Sequence, residues 1–256
     1  MGEMRLNVQT NFPEMAARLQ ELGRQAKFAT AVALTRTAKD DVKPALRAEM
    51  VKVFDRPTAY TLNSLFVKGA TKATLEAKVW LKDNPSGKGT PADRYLAPQI
   101  YGGGRRQKGM ERALQAARLM QPNQFAVPAS GAQLDGNGNV KRSQIVQILS
   151  QLRLQRGAGY ESRASNSAAS RRAVARQGQT YFAIPVTTRG LHPGVYLKKQ
   201  FAIGSAVRPV FLFVSNVRYQ KRLRFFEVGE AVARTAFPRH FEAEFARAVA
   251  TARLRS

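Results

Sequence analysis

The sequence predicts an α+β protein: an antiparallel sheet of about four strands, packed by N- and C-terminal helices and interrupted by a long basic insertion. Three observations predict it. Apolar residues recur at helical spacing near both ends of the chain. Clean two-residue alternation runs through 74–83. Three strand-like runs follow one another across 180–215, with turn residues between them.

Residues 11–53 read as helix. Asn11 can cap it, and Pro13 then sits in the first turn, where a missing N–H costs little. Met15, Leu19 and Leu22 keep helical spacing, and Gly23 marks a break. From Phe28 onward Val32, Val42, Leu46 and Met50 hold one apolar face. Pro44 is expected to kink this second helix or restart it. In "TLEAKVWLKD", residues Leu75, Ala77, Val79 and Leu81 point one way, and Glu76, Lys78, Trp80 and Lys82 the other. This is a half-buried strand, ended by the turn "NPSGKG".

Residues 84–178 differ in character: Gly, Ser, Arg and Gln dominate. Helices are expected near 108–119 and 143–154, with "LDGNGNV" as the turn between, and 155–179 has the composition of a flexible loop. Order returns with "TYFAIPV", "GVYLKK" and "VRPVFLFVS". These read as an antiparallel meander with Phe182, Ile184, Val195, Leu197, Phe211 and Phe213 as core candidates. Two amphipathic helices follow, divided at Pro238. Phe225, Val228 and Val232 form one stripe; Phe241, Phe245, Val249 and Leu254 form the next. The expected division is therefore 1–83 and 180–256 as one core domain, with 84–179 as an inserted arm.

Charge is the unusual feature. Forty-two Lys plus Arg face 17 Asp plus Glu, a net +25 on 256 residues. That favours an anionic partner: nucleic acid, an acidic protein surface or a headgroup layer. With no cysteine, disulfides, Cys-ligated metals and thiol nucleophiles are excluded. The N-terminus shows no signal-peptide pattern, Leu6 stands where a myristoylation motif wants Ser or Thr, and no apolar run reaches spanning length. A soluble protein made in a cytosol is expected.

Motifs for chemistry fail on their spacing. "IYGGGRRQKGMERAL" (100–114) places glycines before cations and a helix, as a phosphate cradle does. It lacks the Gly-Lys-Ser/Thr of a P-loop and has no buried parallel strand before it. It reads instead as a glycine hinge, loose until a neighbour orders it. "DGNGNV" opens like a calcium loop, but Val140 and Val146 stand where Gly and Glu are required, leaving an Asn-Gly turn. His192 and His240 lie in different elements with no metal spacing, and read as surface residues. No nucleophile elbow occurs. A carboxylate pair assembled only in space is the remaining enzyme reading, and the weakest. The expectation is no catalysis and no cofactor.

What remains is three basic clusters: Arg105, Arg106, Lys108 and Arg112; then Arg156, Arg163, Arg171, Arg172 and Arg176; then Arg218, Lys221, Arg222 and Arg224. Tyr101, Tyr160 and Tyr219 adjoin them. Such residues suit either phosphate backbones or acidic faces of neighbouring subunits.

The helix "FATAVALTRTAKDDVKPAL" carries Ala33, Leu34, Thr35, Arg36, Thr37 and Ala38. It resembles the Ala-rich N-terminal helix of small tail and neck proteins of long-tailed bacteriophages, and the nearest such family is minor tail protein Z, or tail completion. The C-terminal pattern is similar too: apolar strands run into a basic amphipathic helix, "PVFLFVSNVRYQKRLRFF…FPRHFEAEFARAV". The likeness covers roughly the first 50 and last 80 residues by periodicity; the middle region is longer than that family leads one to expect. The resemblance implies a virion component at the tail or neck, assembled in the host cytoplasm as a ring, a hexamer being one closure. Its partners would be tail-tube or terminator and head–tail connector proteins, with DNA in the lumen. The rival expectation is a basic nucleic-acid-binding protein associated with packaged DNA.

Overall fold

The computed structural model describes residues 5–7, 23–84, 89–154 and 178–253. It is α+β with antiparallel sheets, as the sequence predicts. The chain forms two compact units, 1–103 with 219–256, and 104–218.

In the first unit, α1 (Gly23–Arg36) runs through a π-helical segment (Thr37–Val42) into α2 (Lys43–Val53). The expected effect of Pro44 takes this form. Proline cannot donate, and its ring crowds the carbonyl four residues back. The Lys43 N–H reaches the Ala38 carbonyl, five residues back, so one widened turn absorbs the misfit without ending the helix. Ala26, Ala29 and Ala33 are fully buried, which lets α1 lie close against α7 (Phe225–Arg253). The Thr30 and Thr35 hydroxyls donate to the carbonyls one turn back, each at 2.8 Å, and so need no water.

Pro238 does not divide the C-terminal helix: α7 is continuous through it. A mid-helix proline costs about 3 kcal/mol. Burial of Phe237 and Phe241 on either side of it offsets that loss, and Phe237, Phe241 and Phe245 stack along the helix with centroids 5.9 and 5.6 Å apart.

A short helix, α3 (Ala59–Leu62), leads into a three-stranded sheet ordered β1 (Arg5–Asn7), β3 (Lys78–Leu81), β2 (Leu65–Lys68). Its register pairs Leu65 with Leu81 and Phe66 with Trp80. Leu65, Val79 and Leu81 are buried in one core with Val42, Leu46 and Met50, matching the predicted alternation. Helix α4 (Ala92–Tyr101) adds Leu96 and Ile100 to that core. It stops at Gly102, whose φ of 77° is open to glycine and strained for other residues.

The second unit holds α5 (Gly109–Ala116), β5 (Gln124–Pro128), α6 (Arg142–Gln151), β6 (Gln179–Ile184), β7 (Gly194–Gln200) and β8 (Ser205–Ser215). The sheet order is β5-β8-β7-β6, all antiparallel. The two remaining strands, β4 (Gly103–Gly104) and β9 (Arg218–Tyr219), pair with each other.

The meander therefore belongs with the middle of the chain, not with 1–83 as the sequence reading has it. The reason is β5, a short strand within the expected insertion, which pairs along β8 from Gln124↔Ser215 to Pro128↔Phe211. Val195, Phe211 and Phe213 are buried as the sequence predicts, but on β6 the core face is the other one. Tyr181, Val195, Phe211 and Phe213 are buried with Leu114, Ile148 and Leu149, while Phe182 stacks on Tyr196, 5.7 Å away. The β6–β7 register is regular, whereas an irregularity between Val195 and Tyr196 shifts the register of β7 on β8. Edge strand β6 is covered at one point by Gln151, which accepts from the Tyr181 N–H at 2.6 Å.

Gly194 sits where a Cβ would stand 2.4 Å from the Phe211 carbonyl oxygen, whereas nothing lies within 4 Å of a Cβ at Gly136. Gly194→Ala should lower stability in urea unfolding by about 1–3 kcal/mol; Gly136→Ala should stay within about 0.5 kcal/mol of the parent.

Candidate functional site

The first basic cluster is built around a buried carboxylate. Glu111 is fully buried in the first turn of α5. It accepts from Arg105 through both guanidinium ends, one at 2.7 Å. It also accepts from the backbone N–H of Lys108 at 2.6 Å, the carboxylate half of a capping box, and from that of Ala126 on β5 at 2.8 Å. The Arg105 guanidinium lies over the Phe125 ring, 4.8 Å from its centroid. Burial pushes the Glu111 carboxyl up, but the Arg105 hydrogen bonds and the two backbone donors outweigh it and hold the group below its ordinary value. Lys108 is pushed down, first by desolvation and then by the Arg105 charge.

Residues 105–111 are thus tied by internal bonds, where the sequence reading expects a loose hinge awaiting a neighbour. Arg105 serves α5 and β5. Arg106 is exposed, and its carbonyl accepts from Arg105 at 3.1 Å. Arg112 and Arg218 are exposed, with no ion-pair partner among the described residues. Arg156, Arg163, Arg171, Arg172 and Arg176 lie outside the described residues.

The third cluster divides likewise. Arg222 donates to the Val53 carbonyl at 2.6 Å, satisfying an orphan acceptor at the end of α2. Arg224 pairs with Glu49, 8% exposed, at 3.0 Å. Lys221 pairs with Glu227 in the first turn of α7. The Arg222 and Leu223 N–H groups both donate to the Gln99 carbonyl, at 2.8 and 2.9 Å. "RYQKRLR" therefore fastens α7 to α2 and α4.

Two further acids, Glu244 and Asp41, do similar work. Glu244 accepts from Arg36 at 2.6 Å and from Arg247 at 3.0 Å. Asp41, in the π-helical segment, accepts from Arg239 at 2.8 Å and lies 2.6 Å from the His240 Nε2. His240 is thus half-buried and partnered rather than a bare surface residue. "DGNGNV" is a turn: the Asp135 carboxylate accepts from the Asn137 and Asn139 N–H groups, both at 2.9 Å. Among the described residues no group of three His, Asp or Glu could hold a metal ion. Among them, too, no helix is long and apolar enough to cross a membrane.

No family model, curated protein or solved structure matches the chain.

The Glu111 pairing has a pH signature. An unfolded glutamate titrates near about 4.3. Because folding depresses the Glu111 value, its stabilisation is complete above that pH and is lost as pH falls through the folded value. Glu111→Gln, which leaves the Arg105 charge half-buried, should cost about 3–5 kcal/mol near neutral pH. Urea melts across pH 3–7 should show a shallower acid limb for the variant than for the parent.

Proposed function

We propose that the chain is a structural virion protein of a long-tailed bacteriophage, a non-catalytic tail-completion or neck adaptor that joins the tail to the head connector. The observation that carries this reading is the setting of Ala33, Leu34, Thr35, Arg36, Thr37 and Ala38, the residues of the resemblance. Ala33, Leu34 and Ala38 are buried in one core with Phe237 and Phe241 of α7, and Arg36 pairs with Glu244 of the same helix. The leading and closing helices of the likeness thus form one packed frame. The apolar strand "PVFLFV" of the same likeness lies in the other unit. A head-to-tail ring requires two different surfaces per subunit, and a chain carrying +25 suits acidic neighbours and a DNA-filled lumen.

A basic nucleic-acid-binding protein is the second reading. It is favoured by Arg112 and Arg218, exposed with no ion-pair partner among the described residues.

Mass in solution, alone and with tail-tube and connector proteins, separates the two. The adaptor reading expects a ring or a stable complex that persists at moderate salt, since apolar faces hold it. A strict monomer that binds neither protein and retains duplex DNA only at low salt, with a steep log–log slope, would overturn it in favour of the second.

A further inference from the structure

The outer face of the β1-β3-β2 sheet has a composition that packing does not explain. Its inner face, Leu65, Val79 and Leu81, is buried. On the other face Phe66 and Trp80 stand opposite each other, centroids 5.6 Å apart and planes 22° from parallel. Phe66 is 44% exposed. Lysines surround the pair. Lys68 and Lys78 are register partners next along the strands, and the Lys82 ammonium lies 4.8 Å from the Phe66 ring centroid. A cleft of about 240 Å³ opens there, lined by Lys68, Lys78, Trp80 and Asp83. Two carboxylates belong to the patch: Glu76, 3.3 Å from Lys78, and Asp83 in the cleft lining.

A solvent-facing aromatic pair set among ammonium groups selects a ligand that carries π-faces and anions together. An acidic peptide supplies the charge without the rings; a duplex carries both but hides its base faces in the stack. Single-stranded nucleic acid presents both, and proteins that hold it combine stacking rings with a basic track. We propose that this sheet face binds single-stranded nucleic acid, with Phe66 and Trp80 stacking bases and Lys68, Lys78 and Lys82 meeting phosphates. A base arriving on Phe66 exchanges the Lys82 cation–π contact for a base–ring stack and frees that ammonium for the backbone. Asp83 offers an acceptor to an exocyclic base amine. The proposal uses none of the arginine clusters and goes beyond the adaptor reading, so either stands if the other fails.

The chain has one tryptophan, so tryptophan emission excited selectively at the red edge, where tyrosine does not absorb, reports on this site alone. The experiment is titration of the full chain with the oligonucleotide dT12, a duplex of equal length and polyphosphate. Saturable quenching by dT12 is expected, with little change from the other two. About three phosphate contacts on a single strand give a log–log salt slope near −2, so affinity should fall roughly 40-fold between 50 and 300 mM salt. Phe66→Ala should weaken dT12 binding by about fivefold or more, and Lys68→Glu should flatten the salt slope, both with unchanged circular dichroism. Equal quenching by polyphosphate or duplex, or dT12 binding by anisotropy that leaves Trp80 unquenched or is indifferent to Phe66→Ala, would overturn the proposal.

Discussion

A carboxylate taken out of water must be given a cation and hydrogen-bond donors, or folding loses several kcal/mol. Three carboxylates are buried among the described residues, Glu49, Glu111 and Glu244, and each receives a guanidinium. These pairs sit at the joints. Glu111 ties α5 to β5 and to the Arg105 loop, Glu49 ties α2 to the segment before α7, and Glu244 ties α7 back to α1. In a chain with so few acids, spending them at joints leaves the outward surface strongly cationic. The electrostatics that hold the fold and those of the outer surface are thus two sides of one allocation.

The same economy explains the two prolines that helices α2 and α7 tolerate. Pro44 follows a widened turn, and that turn carries Asp41, which binds Arg239 and lies within bonding distance of His240 just beyond Pro238. Both irregular places are therefore joined to each other. The buried Ala26, Ala29 and Ala33 against α7 do the rest, since small side chains let two backbones approach and pack along their length.

Much of this was legible in the sequence, for definite reasons. Helical spacing from Val42 to Met50 and alternation from Leu75 to Leu81 are followed by burial, whereas Phe28, 47% exposed, and Val32 stand off the face that Ala26, Ala29 and Ala33 bury. β5 was not legible: five residues between Pro122 and Pro128 give too short a pattern, and its pairing with β8 is a long-range fact. Missing it misassigned the meander. Phe182 went to the wrong face because "TYFAIPV" holds apolar residues at adjacent positions, so alternation alone does not choose which of them face the core. At the candidate site the arginines were visible as charge but not as partners. "KGMERAL" does place Glu111 three residues after Lys108, a capping spacing that could have drawn attention to that carboxylate. The arginines of 156–176 stand outside the described residues. The Phe66–Trp80 face was half visible, since the strand pattern turned Trp80 outward but could not supply Phe66 from another strand.

The division of the chain fixes an order of events on the ribosome. The 104–218 unit is contiguous, and among the described residues its buried cluster, from Met110 to Phe213, draws on none outside it. The other unit is discontinuous: Ala33, Leu46 and Leu96 share their core with Phe225, Phe237 and Phe241. Synthesis proceeds at about 5–20 residues per second, so α1 and α2 wait many seconds for the helix that covers them. The middle of the protein can be finished before its beginning, and during that interval the Ala-rich face of α1 lacks the helix that covers it.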